Sequence, residues 1–368
     1  MKVGILTSSR ADFGIYVPLL IELQKDGFFQ IQIIAFGTHL SENHGYTLHE
    51  IEEAGFDQIH KIKSMPSGDS SAAIAASMGE TLGLFSKFWN EHSFDLVFAL
   101  GDRFEMFAAV SAASPFGIQI AHLHAGETTL GAIDNGYRHA ISLFSKYLFV
   151  STEAYKERAK EIVGNEVAIY NVGALSIDNL NEIDFLTTNK FLTKFKIDLS
   201  LPTVLSTFHP ETIDFQRNKD YVRELILAFE KIMDEYQILI TLPNADTMGA
   251  VIREELLKFG EKHQKVKIVE SLGMHGYLSA MKHSAFLLGN SSSGFVEASF
   301  FPKFVINLGK RQEGRIESSN IFTVPFKVEE ILNAVAHFKS LKKLDGTKVY
   351  GKGNTAHKIV KILKNMYD

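Results

Sequence analysis

Apolar residues follow two rhythms along this chain. Short, nearly continuous runs of Val, Ile, Leu and Phe alternate with longer stretches in which apolar positions recur at helical spacing. The first rhythm predicts strands at Val3–Ser8, Gln30–Phe36, Leu96–Leu100, Ile118–His122, Tyr147–Val150 and Val167–Val172. It resumes at Thr203–Phe208, Gln237–Leu242, Lys267–Glu270, Ala285–Leu288 and Phe304–Leu308. The second rhythm predicts helices over Gly14–Lys25, Ser70–Trp89, Phe104–Ser114 and Ile133–Ser145, then Tyr221–Glu235, Asp246–Phe259, His275–His283 and Gly294–Phe300. Strands alternating with helices imply βαβ units, and hence an α/β fold with parallel sheets covered on both faces. Neither half shows a short repeat, which excludes a solenoid.

The alternation pauses at Ser176–Pro202, which has no strand pattern, is rich in Asn, Asp and Thr, and ends in a proline before the next strand. This divides the chain into an N-terminal Rossmann-like domain over 1–175 and a second over 176–352. An amphipathic helix closes the chain within 353–368. Two such domains leave a cleft, and open parallel sheets bind ligands beyond the carboxyl ends of their strands. Candidate chemistry therefore belongs at strand ends.

Composition removes several classes of function. The 368 residues suffice for two hydrophobic cores. The formal net charge is −5 with both signs interspersed, and no Lys/Arg block marks a nucleic-acid or membrane partner. The absence of cysteine excludes disulfides, iron–sulfur clusters and thiolate zinc sites, and fits a cytoplasmic location. The first residues read as a strand rather than a signal peptide, and no apolar run approaches bilayer-spanning length.

Polar motifs fall at the predicted strand ends. "TSSRADFG" (Thr7–Gly14) places two serines and Arg10 before a helix N-terminus, an arrangement suited to phosphate. It lacks the G-x-G-x-x-G fingerprint, which argues against NAD. "GDR" (Gly101–Arg103) turns Asp102 and Arg103 toward the cleft. "HLHAGETTLGAIDNGYRHA" (His122–Ala140) gathers His122, His124, Glu127, Asp134, Arg138 and His139. In an extended chain His122 and His124 share a face, and Asp134 and Arg138, four apart on a helix, face one another. Taken singly, these residues make a core histidine, a helix ion pair or a turn; together they point to proton transfer. His122, His124 and Glu127 are also metal-ligand types. No H-E-x-x-H helix or carboxylate-rich loop accompanies them, so no metal or cofactor is expected.

In the second half His209 ends a strand in "FHPET", and Asn244 ends another in "PNAD". "GNSSSGFVEAS" forms a hydroxyl-rich turn at a helix N-terminus, with Glu297 one turn in to accept from ribose hydroxyls. Arg311 and Arg315 follow the strand before "GKRQEGR". Anion-binding turns in both domains are most simply explained by a pyrophosphate-bearing ligand.

These motifs, in order from Lys2 to about Asn320, resemble the hydrolysing UDP-N-acetylglucosamine 2-epimerases of bacterial sialic-acid, legionaminic-acid and capsule-polysaccharide synthesis. The resemblance implies a glycosyltransferase-B architecture, with an interdomain active site and a last helix that crosses back to the N-terminal domain. It implies a UDP-sugar substrate, elimination to a glycal and hydration to free N-acetylmannosamine, and a homodimer or homotetramer. It assigns Asp102 and Asp134 acid/base roles, with Arg103 and His209 stabilising phosphate or the transition state. Asn244, Ser291, Ser292 and Glu297 become UDP contacts, and Arg10 and Arg315 further phosphate contacts. Related enzymes carry a carboxylate where this chain has His124, so the third acid/base role is divided between His124 and Glu127, with Glu127 favoured. The motifs do not separate UDP-N-acetylglucosamine from UDP-2,4-diacetamido-2,4,6-trideoxyglucose, nor a hydrolysing from a non-hydrolysing epimerase. A retaining glycosyltransferase and a UDP-sugar sensor are further readings; carboxylates at strand ends speak against a sensor.

Overall fold

The computed structural model describes residues 1–368 except 43–44, 66–67, 166, 244–248, 302, 342–346 and 368. The chain forms two units. Unit 1 comprises Met1–Glu127, Asp134–Asn181 and Tyr350–Asp368; unit 2 comprises Thr128–Ile133 and Glu182–Val349.

Unit 1 runs β1 (Lys2–Thr7), α1 (Arg10–Gln24), β2 (Gln30–Phe36), α2 (Leu48–Glu53), β3 (Ile59–Ile62), α3 (Ser71–Glu91), β4 (Leu96–Leu100) and α4 (Phe104–Ala113). It continues through β5 (Ile120–Leu123), α5 (Asp134–Leu143), β6 (Tyr147–Val150), α6 (Glu153–Val163), β7 (Ala168–Asn171) and α7 (Ser176–Glu182). The strand order is β3-β2-β1-β4-β5-β6-β7, and every pair is parallel. Successive residues of β4 serve opposite faces: Phe98 and Leu100 join one core, Val97 and Ala99 the other. Burial on both faces explains why the central strands are continuous apolar runs rather than alternating ones.

Unit 2 contains α8 (Thr188–Phe195), β8 (Thr203–Thr207), α9 (Asn218–Ile232), β9 (Gln237–Thr241), α10 (Gly249–Lys262), β10 (Val266–Val269) and α11 (Gly273–His283). These are followed by β11 (Phe286–Gly289), α12 (Glu297–Phe300), β12 (Phe304–Leu308), β13 (Ile321–Val324) and α13 (Val328–Ser340). Its strand order is β10-β9-β8-β11-β12-β13, again parallel throughout. The last helix, α14 (Thr355–Tyr367), belongs to unit 1. Its Ala356, Ile359, Val360 and Leu363 enter the same core as Leu19, Leu20 and Leu23 of α1. The Asp178 carboxylate caps its N-terminus, accepting from Thr355 N at 3.0 Å and Ala356 N at 2.7 Å.

Strand order reverses between β1 and β4 in unit 1, and between β8 and β11 in unit 2. A doubly wound sheet opens its ligand crevice beyond the carboxyl ends at such a switch point. In unit 1 those ends carry Ser8–Arg10 and Gly101–Arg103; in unit 2 they carry Phe208–His209 and Asn290–Ser293. Among the described residues no helix is long and apolar enough to cross a membrane.

Candidate active site

At the end of β1, Ser9 caps α1 and its hydroxyl accepts from Asp12 N at 3.3 Å. Asp12 reaches back, taking Ser8 N at 3.0 Å and the Ser8 hydroxyl at 2.8 Å. A carboxylate thus occupies the helix N-terminal position that the sequence reading gave to a phosphate, and Arg10, half-buried, remains the turn's cation. Beneath this turn lies buried His39, its ring nitrogens 2.9 Å from Thr7 Oγ1 and 2.9 Å from Thr47 Oγ1. Burial pushes its pKa from 6.5 down to about 4.

The ends of β4 and β5 and the first turns of α5 build a charged cluster. Arg138, only 3% exposed, donates from Nη2 to the Asp102 carboxylate. Its Nη1 donates to the His124 carbonyl at 3.1 Å and lies 3.6 Å from Glu127 Oε2. Glu127 is 1% exposed, and its Oε1 accepts from Ser151 Oγ at 3.0 Å and meets His124 Nδ1 at 2.7 Å. A buried carboxylate is tolerated only when donors replace its water, and this one has them. Asp102 keeps 24% of its side chain exposed. Asp134, half-buried, opens α5, where a negative charge gains about 0.3–1 kcal/mol from the helix dipole.

The two histidines of the motif have different surroundings. β5 ends at Leu123, and His124 takes left-handed backbone with φ 60°. The strand alternation that predicts a shared face for His122 and His124 therefore stops one residue short. His122 is fully buried, with Nε2 donating to the Gly101 carbonyl at 2.8 Å and Nδ1 2.9 Å from Ser142 Oγ. Burial drives its pKa down to about 3, so it is neutral and fixes the turn that carries Asp102. Both its nitrogens are engaged by the protein, which removes it as a metal ligand. Among the described residues no group of three or more His, Asp or Glu is arranged to hold a metal ion. His124 Nε2 is buried and has no hydrogen-bond partner among the described residues. Gly126 makes this turn possible: its φ is +71°, and a Cβ there would lie 2.2 Å from the Tyr155 carbonyl oxygen.

Arg103 donates from Nε at 3.2 Å and Nη2 at 2.8 Å to Oε1 of Glu105, a fully buried carboxylate whose pKa burial raises. Glu105 thus sets the direction of the Arg103 guanidinium at the switch point.

In unit 2 one side chain organises the site. Asn290 grips the backbone of His209 on both edges, accepting from its N–H at 2.7 Å and donating to its carbonyl at 2.8 Å. Gln312 Nε2 donates to the Asn290 carbonyl at 2.8 Å, and buried Arg315 donates from Nε to Gln312 Oε1 at 2.6 Å. Arg311 donates to the Pro210 carbonyl at 2.5 Å. The ends of β8, β11 and β12 are thereby locked to one another. Gly289 lets β11 approach β8, since a Cβ there would lie 2.1 Å from the Thr207 carbonyl oxygen.

The serine turn differs from its sequence expectation. Ser291 caps a single 3-10 turn, Ser292–Gly294, and α12 is only four residues long, so no full helix points its dipole at the turn. Hydroxyls supply the polarity instead: Ser293 Oγ lies 3.0 Å from Ser291 Oγ and 2.6 Å from the Tyr277 hydroxyl, while Ser292 is exposed. Glu297 stands half-buried at the start of α12. Unit 2 also holds the Thr128–Ile133 segment, through Leu130 N to the Glu313 carbonyl at 2.8 Å and Ile133 N to Thr212 Oγ1 at 2.9 Å. Asn244 and Asp246 lie outside the described residues.

Unit 1 thus gathers Asp102, His124 and Glu127 around Arg138, with Asp134 on the same helix. Unit 2 joins His209, Asn290, the serine turn and Arg315. Ser151, Tyr277 and Gln312 are additions to the residues singled out from the sequence, and Asn290, part of the GNSSSG motif, takes the role of a backbone clamp. Ser151 follows the last residue of the buried strand β6, and that position was its only signal.

Comparison with known proteins follows the same lines. A family model described as UDP-N-acetylglucosamine 2-epimerase matches residues 21–364. The GDP/UDP-N,N'-diacetylbacillosamine 2-epimerase (hydrolyzing) of Campylobacter jejuni is 34% identical over 87% of this chain and 83% of its own. The polysialic acid biosynthesis protein P7 of Escherichia coli is 31% identical over 99% of this chain and 94% of its own. The UDP-N,N'-diacetylbacillosamine 2-epimerase (hydrolyzing) of Legionella pneumophila is 31% identical over 99% and 96%. In fold the chain is similar to the UDP-GlcNAc 2-epimerase of Neisseria meningitidis solved with UDP-GlcNAc, with a TM-score of 0.84 at 18% identity over 99% of this chain and 100% of that one. The architecture is the two-domain α/β arrangement of the glycosyltransferase-B type.

Proposed function

The chain belongs to the UDP-N-acetylglucosamine 2-epimerase family, and on that premise we propose that it is a hydrolysing enzyme converting UDP-N-acetylglucosamine and water to N-acetylmannosamine and UDP, the first step of a sialic-acid route. The observation that carries this reading is the cluster of Asp102, Arg138, Glu127 and His124 at the ends of β4 and β5. Removing a proton from a weakly acidic carbon requires a positioned base, and expelling a diphosphate requires cations and N–H donors.

The proposed reaction runs in two steps. The C2–H bond breaks and its electron pair forms the C1=C2 double bond. The C1–O bond then breaks, and UDP departs with that pair. In the second step water adds its oxygen to C1, and a proton is delivered to C2 on the opposite face. Asp102, Asp134 and the His124/Glu127 pair supply the proton-transfer groups. Arg103 and His209 offset charge developing on the diphosphate, with Arg10 and Arg315 as further phosphate contacts. Asn244, Ser291, Ser292 and Glu297 hold the nucleotide. No step calls for a cofactor.

The names of the Campylobacter jejuni and Legionella pneumophila relatives favour a second substrate, the UDP-linked 2,4-diacetamido-2,4,6-trideoxyglucose. The name of the Escherichia coli relative favours the first. The test is incubation with each UDP-sugar in deuterated water, followed by NMR. The expected product is free 2-epimerised sugar with deuterium at C2, together with UDP. A nucleotide-linked product would identify a non-hydrolysing epimerase, and product retaining its C2 hydrogen would remove the elimination route.

A further inference from the structure

The turn His124–Glu127 is asymmetric: one side chain is enclosed by donors and the other keeps a ring nitrogen unengaged among the described residues. We infer that His124 Nε2 is the atom that takes the substrate's C2 proton, and that Glu127 acts through it as a positioning residue. The inference rests on the epimerase reading above and goes beyond it by separating the two residues' roles.

Glu127 is poorly placed to act directly. Its two oxygens face Ser151 Oγ, His124 Nδ1 and the Arg138 guanidinium, and its side chain is 2% exposed against 12% for that of His124. A carboxylate surrounded by three donors has little capacity left for a substrate proton. His124 shows the opposite balance. Its Nδ1 is fixed at 2.7 Å from Glu127 Oε1, while Nε2, itself buried, has no hydrogen-bond partner among the described residues. A carboxylate accepts, so the proton sits on Nδ1 and the Nε2 lone pair is free. This is the nucleophile–base–orienter logic of triads reduced to a base and its orienter. His124 holds left-handed backbone, and its carbonyl accepts from Arg138 Nη1 at 3.1 Å.

The proton inventory closes. Nε2–H forms as C2–H breaks, and the resulting imidazolium is stabilised by Glu127 through Nδ1–H. After UDP leaves, Nε2 releases its proton to solvent, matching the extra negative charge on free UDP. A separate group returns a proton to the other face of C2 and regains one from the adding water, and Asp134 is the candidate.

The charged and titratable groups facing His124 are Glu127 on its own turn, Arg138 from α5, Asp102 at the end of β4 and His122 on β5. The experiment measures turnover of both UDP-sugars, UDP affinity by calorimetry, and rescue by added imidazole. His124→Ala is expected to lose about 10²–10⁴-fold in kcat, to bind UDP as the wild type does, and to regain turnover with imidazole. His124→Gln should show the same loss, and Glu127→Gln a smaller loss confined to kcat, with KM unchanged. Full turnover by folded His124→Ala overturns the inference. So does a Glu127→Gln enzyme that is inactive while His124→Gln remains active. An inactive wild type on both sugars overturns the epimerase reading itself.

Discussion

Arg138 and Asp102 form an ion pair that joins the second turn of α5 to the turn ending β4. The same guanidinium lies 3.6 Å from Glu127 and bonds the His124 carbonyl, so one cation holds two acid/base candidates and the backbone of a third. Breaking a buried pair from one side leaves an uncompensated charge, typically at a cost of about 3–5 kcal/mol. Arg138→Ala is therefore expected to lose stability of that order in urea denaturation, together with turnover. A loss under about 1 kcal/mol would show that solvent screens the cluster.

Asn290 predicts a separable effect on nucleotide binding. Asn290→Ala leaves the His209 N–H and carbonyl without their partners, a penalty of about 1–3 kcal/mol in a turn that also carries Ser291. UDP affinity measured by calorimetry should fall about tenfold. Unchanged affinity would separate this clamp from nucleotide binding.

The two deeply buried histidines predict acid sensitivity. His122 and His39 have folded-state pKa values lowered from 6.5 to about 3 and about 4. As pH falls below 6.5 the unfolded chain takes up protons that the folded chain refuses. Stability therefore falls with acidification from about 6.5 down toward those values, and rises with pH across the same window. Each group contributes at most about 1.4 kcal/mol per pH unit. His39→Asn should flatten the slope of unfolding free energy between pH 6 and about 4.5; an unaltered slope would mean that other groups set it.

Two glycine substitutions should have opposite effects. Gly126→Ala places a methyl 2.2 Å from the Tyr155 carbonyl at a left-handed position, and is expected to unfold the turn and abolish turnover. Gly83→Ala, inside α3 and facing open space, should raise stability by about 0.5–1 kcal/mol and leave turnover intact. Thermal melting of both variants distinguishes a local packing requirement from general sensitivity.

The central strands were legible in the sequence because burial on both faces makes them continuous apolar runs; β2, β4, β6 and β12 lie where the pattern puts them. The edge strands β3 and β13 were not. Each is four residues long and partly exposed, and Ile59–Ile62 carries His60 and Lys61, whereas the other edge strands, β7 and β10, were marked by the runs Val167–Val172 and Lys267–Glu270. α6 escaped for a related reason: among its eleven residues only Tyr155 and Ala159 are buried, too few to show a period. Within the site, Asp102 and Glu127 were visible as strand-end polar residues. Arg138 as their common partner was not, because helix spacing suggested Asp134 and the contacts to Asp102 and Glu127 are long-range. The left-handed backbone at His124 had no sequence signal, since such positions favour Gly, Asn or Asp.

The return of α14 to unit 1 has a consequence for synthesis on the ribosome. Glu182–Val349 emerges as one uninterrupted stretch and contains every strand of its sheet, so unit 2 can mature while translation proceeds. The face of α1 bearing Leu19, Leu20 and Leu23 must wait, uncovered, until Ala356–Leu363 has left the exit tunnel. A nascent chain stalled in the preceding stretch would present that apolar face to chaperones and proteases, and the half bearing the Asp102–Arg138 pair would be completed after unit 2.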